Sequence, residues 1–143
     1  MKNISETIKA KQLPQIFTII KPGFIQLAGN IISKFESEGF RMSRIRTTKL
    51  TLKDARRLYA IHKSESFYDS LCKYMSSDVT TAIIFDWVKR GKDDAGKDIY
   101  KKVGEIKDEI REKYGESDMR NVMHSSDSEE HMEEEKSVYF YDI

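Results

Sequence analysis

The chain reads as an α+β domain, an antiparallel sheet covered by helices, for which a ferredoxin-like βαββαβ core is the economical arrangement. Three observations predict it. A length of 143 residues suits one compact domain. Hydrophobic residues make up 38% and charged residues 34%, enough for a core beneath a strongly charged surface. Short β-branched apolar runs alternate with stretches of helical spacing, in the order β-α-β-α-α-β-α-β.

Residues 1–14 form a polar lead-in closed by Pro14, and the domain is expected over 15–143. Ile16-Phe17-Thr18-Ile19-Ile20 carries the signal of a buried strand, and Lys21-Pro22-Gly23 stops it. From Leu27 to Glu38, Ile31, Ile32 and Phe35 recur at helical spacing, and Gly39 ends the helix. Phe40 to Leu50 alternates as a half-buried strand. Thr51 caps a helix running to about His62, and a second helix covers Phe67 to Met75. Val79 to Trp87 is a strand. Lys97–Val103 and Asp108–Tyr114 read as two short helices, Asn121–His124 as extended and Ser128–Lys136 as helical. Val138-Tyr139-Phe140-Tyr141 reads as a final strand.

Composition excludes several classes of function. A net charge of +1 without a continuous basic stripe argues against nucleic acid as a partner. No apolar run approaches the ~20 residues of a membrane span, and the N-terminus lacks the apolar stretch of a secretory signal. The single cysteine, Cys72, excludes an intrachain disulfide and suits a reducing compartment, so a cytoplasmic location is expected. Its place in a helix points to simple burial.

The chemistry concentrates in Asn121-Val122-Met123-His124-Ser125-Ser126-Asp127-Ser128. One histidine ends an extended segment and meets a polar turn. An acidic helix with Glu129, Glu130, Glu133, Glu134 and Glu135 follows. Imidazole is neutral yet basic at cellular pH and can attack without a separate activating base. A lone histidine is usually structural or solvated, and the surrounding motif reverses that expectation. His62 and His131 lack such surroundings and read as surface residues. No His/Cys/Asp cluster has zinc spacing, so no metal site is expected in the protein itself.

This run closely resembles the active-site signature of the nucleoside diphosphate kinases, Asn-x-x-His-x-Ser-Asp-Ser, and the resemblance extends from Phe17 to Phe140. It implies that His124 is the phosphorylated nucleophile, with Ser126 and Glu135 orienting its ring. Lys21, in Thr18-Ile19-Ile20-Lys21-Pro22, would meet the transferred phosphate. A lysine before a turn proline is ordinarily just solvated, but a strand-end ammonium also suits a phosphoryl oxygen as a point charge. Tyr59 would reach the phosphate side. Phe67 and Leu71 would clamp the base, and a π-face accepts any base. An aromatic and a leucine four apart are also ordinary helix neighbours in a core, and the two readings weigh about evenly. Arg111, in Ile110-Arg111, would reach the phosphates, which a planar guanidinium suits. Asn121 would contact the sugar hydroxyl. The implied reaction moves the γ-phosphate of ATP to nucleoside diphosphates through a phosphohistidine, with Mg²⁺ arriving on the nucleotide phosphates.

The chain departs from the family pattern in two places. Gly23 stands where an aspartate is usual. The family's long loop, with an arginine and a Gly-x-Thr-x-Pro element before the Ile-Arg pair, is shortened here and lacks both of its prolines. Aligning Val103-Gly104-Glu105 with the loop entrance puts Tyr100 at the arginine and Ile106 at the threonine. Lys101 or Lys102 would then replace the lost charge. This form resembles a divergent branch found in ciliary and multi-domain proteins, several of them weak or inactive. It weighs against a hexamer and leaves a homodimer or monomer. The second reading is therefore a catalytically impaired nucleotide-binding or structural module in a ciliary or signalling assembly.

Overall fold

The computed structural model describes residues 12–141, so the first eleven residues of the polar lead-in lie outside the described ones. The sheet has four antiparallel strands: β1 (Gln15–Ile20), β2 (Phe40–Thr48), β3 (Thr80–Trp87) and β4 (Met123–Ser125). Their order is β2-β3-β1-β4. Among the described residues five α-helices accompany them: α1 (Ala28–Ser37), α2 (Leu52–Leu58), α3 (Tyr68–Met75), α4 (Ile99–Tyr114) and α5 (Glu129–Tyr139). This is the expected α+β, ferredoxin-like arrangement.

Strand alternation divides the core between the two faces of the sheet. Ile16 and Ile20 of β1 point into a cluster with Phe35 of α1 and with Val103, Ile106 and Ile110 of α4. Phe17 and Ile19 point the other way, toward Leu58, Leu71, Cys72, Met132 and Tyr139 of α2, α3 and α5. β3 is buried along its whole length, whereas the edge strand β2 is largely exposed. Cys72 is fully buried, as expected of a small hydrophobe.

Local signals place several of the helix ends. Thr51 Oγ1 accepts from Asp54 N at 3.0 Å and opens α2. Ser128 does the same for α5 through His131 N at 3.1 Å. Gly39 must be glycine: its φ is +89°, and a Cβ would stand 1.8 Å from Lys89 O.

Two expectations are corrected. The stretches 97–103 and 108–114 are not separate helices: from Ile99 onward both belong to the single helix α4. Ile99, Val103, Ile106 and Ile110 form one unbroken apolar stripe, and Gly104 within it costs only about 1 kcal/mol. The run Val138–Tyr141 is not a strand. Val138 and Tyr139 complete α5, and Phe140 caps it. Its apolar residues pack on the sheet from above, Tyr139 and Phe140 against Phe17 at 5.8 and 6.3 Å between ring centroids.

Candidate active site

β4 sits beside β1, pairing Ile19 with His124 and Ile20 with Met123, so the end of β1 and the histidine motif meet. Lys21 follows β1 directly; its backbone N–H donates to Val122 O at 2.8 Å. The turn beyond it needs Gly23, whose φ is +89° and where a Cβ would crowd the Arg120 guanidinium at 2.8 Å. The Tyr74 hydroxyl donates to Pro22 O and pins the same turn. Glycine at this position therefore has a backbone reason.

Met123 N donates to Asn121 O at 3.0 Å, closing a γ-turn around Val122, whose φ is +79°. A β-branched residue with positive φ costs on the order of 1–3 kcal/mol. Val122 is fully buried in the core, which holds that geometry. The turn delivers His124 at a fixed angle, its side chain 21% exposed. His124 Nε2 lies 3.0 Å from Glu135 Oε2, although the contact is out of line for a hydrogen bond. Ser126 Oγ donates to the same Oε2 at 2.5 Å. Glu135 and Ser126 are both buried, so the carboxylate is fixed before it meets the ring. Tyr59 crosses the imidazole edge-on at 5.8 Å and 79°. Burial holds its phenol well above the usual range.

Cations gather near the histidine motif. Arg111 of α4 donates through Nη2 to Met123 O at 2.9 Å. Lys21 is buried, and Nζ reaches Met119 O at 3.3 Å. Its ammonium is pulled down to about 8, first by burial and then by the charges of Arg111 and Lys107. Buried polar atoms without a hydrogen-bond partner also collect here: Tyr59 Oη, Arg111 Nε, Asn121 Oδ1 and His124 Nε2. Each such atom costs about 1–3 kcal/mol, a cost typical of sites that a ligand completes.

The structure thus brings together Lys21, Tyr59, Arg111, Asn121, His124, Ser126 and Glu135. Phe67 and Leu71 differ in setting. Phe67 is 44% exposed and packs beside His62 at 5.5 Å, whereas Leu71 belongs to the core with Tyr59. His131 pairs with Asp127 at 2.5 Å rather than with the nucleophile. The expected positions of the shortened loop are not where the alignment put them. Ile106 belongs to α4's apolar stripe and is buried in the core, so it cannot replace a phosphate-facing threonine. Lys102 is committed to Glu38 and Asp94 at 2.6 and 2.9 Å. The cation that does face Lys21 and Arg111 is Lys107, which sequence reasoning missed; its i, i+4 spacing to Arg111 was the available signal.

The family model described as nucleoside diphosphate kinase matches residues 15–143. Nucleoside diphosphate kinase 1 of Protochlamydia amoebophila is 36% identical over 131 residues, covering 88% of this chain and 92% of its own. The nucleoside diphosphate kinase of Campylobacter hominis is 34% identical over 133 residues, covering 90% and 96%. A crystal structure of the Aquifex aeolicus nucleoside diphosphate kinase superposes with a TM-score of 0.74 at 26% identity, covering 88% of this chain and 94% of that one. The histidine motif, the sheet that presents it and these relatives agree: the chain belongs to the nucleoside diphosphate kinase family.

Proposed function

We propose that this chain moves the γ-phosphate of ATP to nucleoside diphosphates by way of a phosphohistidine at His124. The observation that carries this reading is the 3.0 Å approach of Glu135 Oε2 to His124 Nε2. The negative charge of the carboxylate beside Nε2 favours a proton there and leaves the lone pair on Nδ1. Nδ1 attacks the γ-phosphorus. The bond to the β–γ bridging oxygen breaks, and the nucleoside diphosphate departs with that electron pair. A second diphosphate then takes the phosphoryl group by the reverse route, which gives ping-pong kinetics.

The protein's part is positioning and charge. Lys21 and Arg111 neutralise the phosphate oxygens, Asn121 meets the sugar, and Tyr59 walls the ring. Phe67 and Leu71 flank the base, with Phe67 offering the open face. Ser126 keeps Glu135 in place. Mg²⁺ enters with the nucleotide as part of the substrate. Residues 15–143 carry the reaction, acting as a monomer or homodimer in the cytoplasm.

The test is incubation with γ-labelled ATP. The parent protein acquires an acid-labile, alkali-stable label and passes it to an added diphosphate. His124→Ala loses the label, and kcat falls by about 10⁴-fold or more. A His124→Ala protein that labels like the parent would falsify the assignment. A parent that binds nucleotide tightly but never labels is the impaired module instead.

A further inference from the structure

Helix α4 and its approach carry several cations, and the structure sorts them by how each charge is met. Lys97 pairs with Glu105 at 2.8 Å, and Lys102 is held by Glu38 and Asp94. Lys101 points into solvent. Arg111 is tied to the Met123 carbonyl beside the histidine. Lys107 differs from all of these. It is half-buried one turn before Arg111, and among the described residues it has no hydrogen-bonded or ion-paired acceptor.

Two of its electrostatic neighbours, Arg111 and Glu135, belong to the active site. Lys107 feels the positive charge of Arg111 and adds its own to Lys21. Asp127 and Glu135 face it from the segment after β4, and Asp108 from its own helix. Burial first and Arg111 second hold its ammonium below the usual lysine range, and the carboxylates only partly compensate. An ammonium so placed is unfavourable until an anion of several charges joins it. Arg111 stands one turn further along the same helix, and Lys101 and Lys102 are respectively exposed and neutralised.

We propose that Lys107 is a phosphate-binding residue of this chain, reaching the terminal phosphates of the nucleotide from α4 and supplying the charge that its shortened loop does not. The proposal rests on the nucleotide-kinase reading of the site. The ligand chemistry is a polyphosphate chain, so the contact selects for terminal phosphates and gives nothing to a monophosphate.

The experiment is calorimetric titration of the parent, Lys107→Met and Lys107→Arg with ATP, inorganic tripolyphosphate and AMP. Thermal unfolding of each ligand-free protein runs alongside. Lys107→Met should weaken ATP and tripolyphosphate about ten- to hundredfold. AMP should change by less than about threefold, and Lys107→Arg should recover most of the loss. Ligand-free Lys107→Met should melt at the parent's temperature or above, because like-charge crowding is relieved. Tripolyphosphate affinity unchanged in Lys107→Met overturns the proposal, as does a lowered melting temperature with ligand binding intact. The two readings fail separately. Lys107-dependent tripolyphosphate binding with no labelling of His124 removes the kinase and keeps the polyphosphate site. Normal labelling with Lys107-independent binding removes only the role of Lys107.

Discussion

Two clusters of positive charge meet helix α4, and they are built in opposite ways. Around Lys102, Glu38 accepts from both Lys34 and Lys102, and Asp94 adds a second carboxylate. Burial would lower the Lys102 ammonium, but the hydrogen bonds to Glu38 and Asp94 outweigh it and raise it. The Glu38 carboxyl is correspondingly lowered, chiefly by Lys102. Around Lys21 the neighbours are Arg111 and Lys107, and the ammonium is lowered to about 8. The same residue type, against the same helix, is stabilised as a cation in one place and destabilised in the other. A cluster that balances its charges internally holds the fold; a cluster left with one sign is shaped for what binds to it.

The strongest way to break this contrast is a crossed pair of substitutions. Lys21→Met should lower kcat/KM by about 10²–10³-fold with the melting temperature unchanged or raised. Lys102→Met should lower the melting temperature by about 5 °C or more, because Asp94 loses its buried partner. Its kcat/KM should stay within about threefold while it remains folded. If Lys102→Met loses activity as Lys21→Met does, the division between structural and binding charge collapses.

A pH profile sharpens the same contrast. Lys21 must be protonated to hold phosphate, so kcat/KM should fall as pH rises through about 8. Stability moves the other way. The folded value lies below the ordinary 10.5, so the penalty is fully present below about 8 and is relieved as pH climbs toward 10.5. The ligand-free protein should therefore resist denaturant better across the window in which it loses activity. Lys107→Met should shift the kinetic inflection upward. A flat kinetic profile across that window would mean Lys21 is not the titrating contact. The smallest effect is expected from Lys101→Ala. This exposed side chain should leave nucleotide KM within about twofold, and a tenfold rise would move the phosphate charge to it.

The histidine end of the site was legible because its geometry is local. His124, Ser126 and Glu135 lie within one strand, one turn and one helix, so their spacing nearly dictates their contact. Thr51 and Gly39 were legible for the same reason, each signal acting on its own turn. The Lys107 side was not. α4 is rich in charge throughout, and which lysine faces the site depends on how the apolar stripe docks on the sheet. Aligning the shortened loop by its glycine pushed Ile106 toward the phosphates, whereas burial turns it into the core. The last apolar run misled differently: Val138, Tyr139 and Phe140 are all buried, and a run buried all round has no period to read. The γ-turn at Val122 left no sequence signal, since valine is among the least expected residues at positive φ.

The continuity of α4 bears on the timing of each turnover. Lys107 and Arg111 ride on a single rod whose other face is locked into the sheet by Ile106 and Ile110. Held on this helix, the two side chains need no separate segment ordered around them when a nucleotide arrives, so little conformational entropy is spent on these two contacts. A grip set in advance shortens the search for the right pose. It also means that release of these two contacts needs no reordering of the helix. In a shuttle that must release one nucleotide before it can serve the next, a modest, rigid hold favours rapid exchange over long residence.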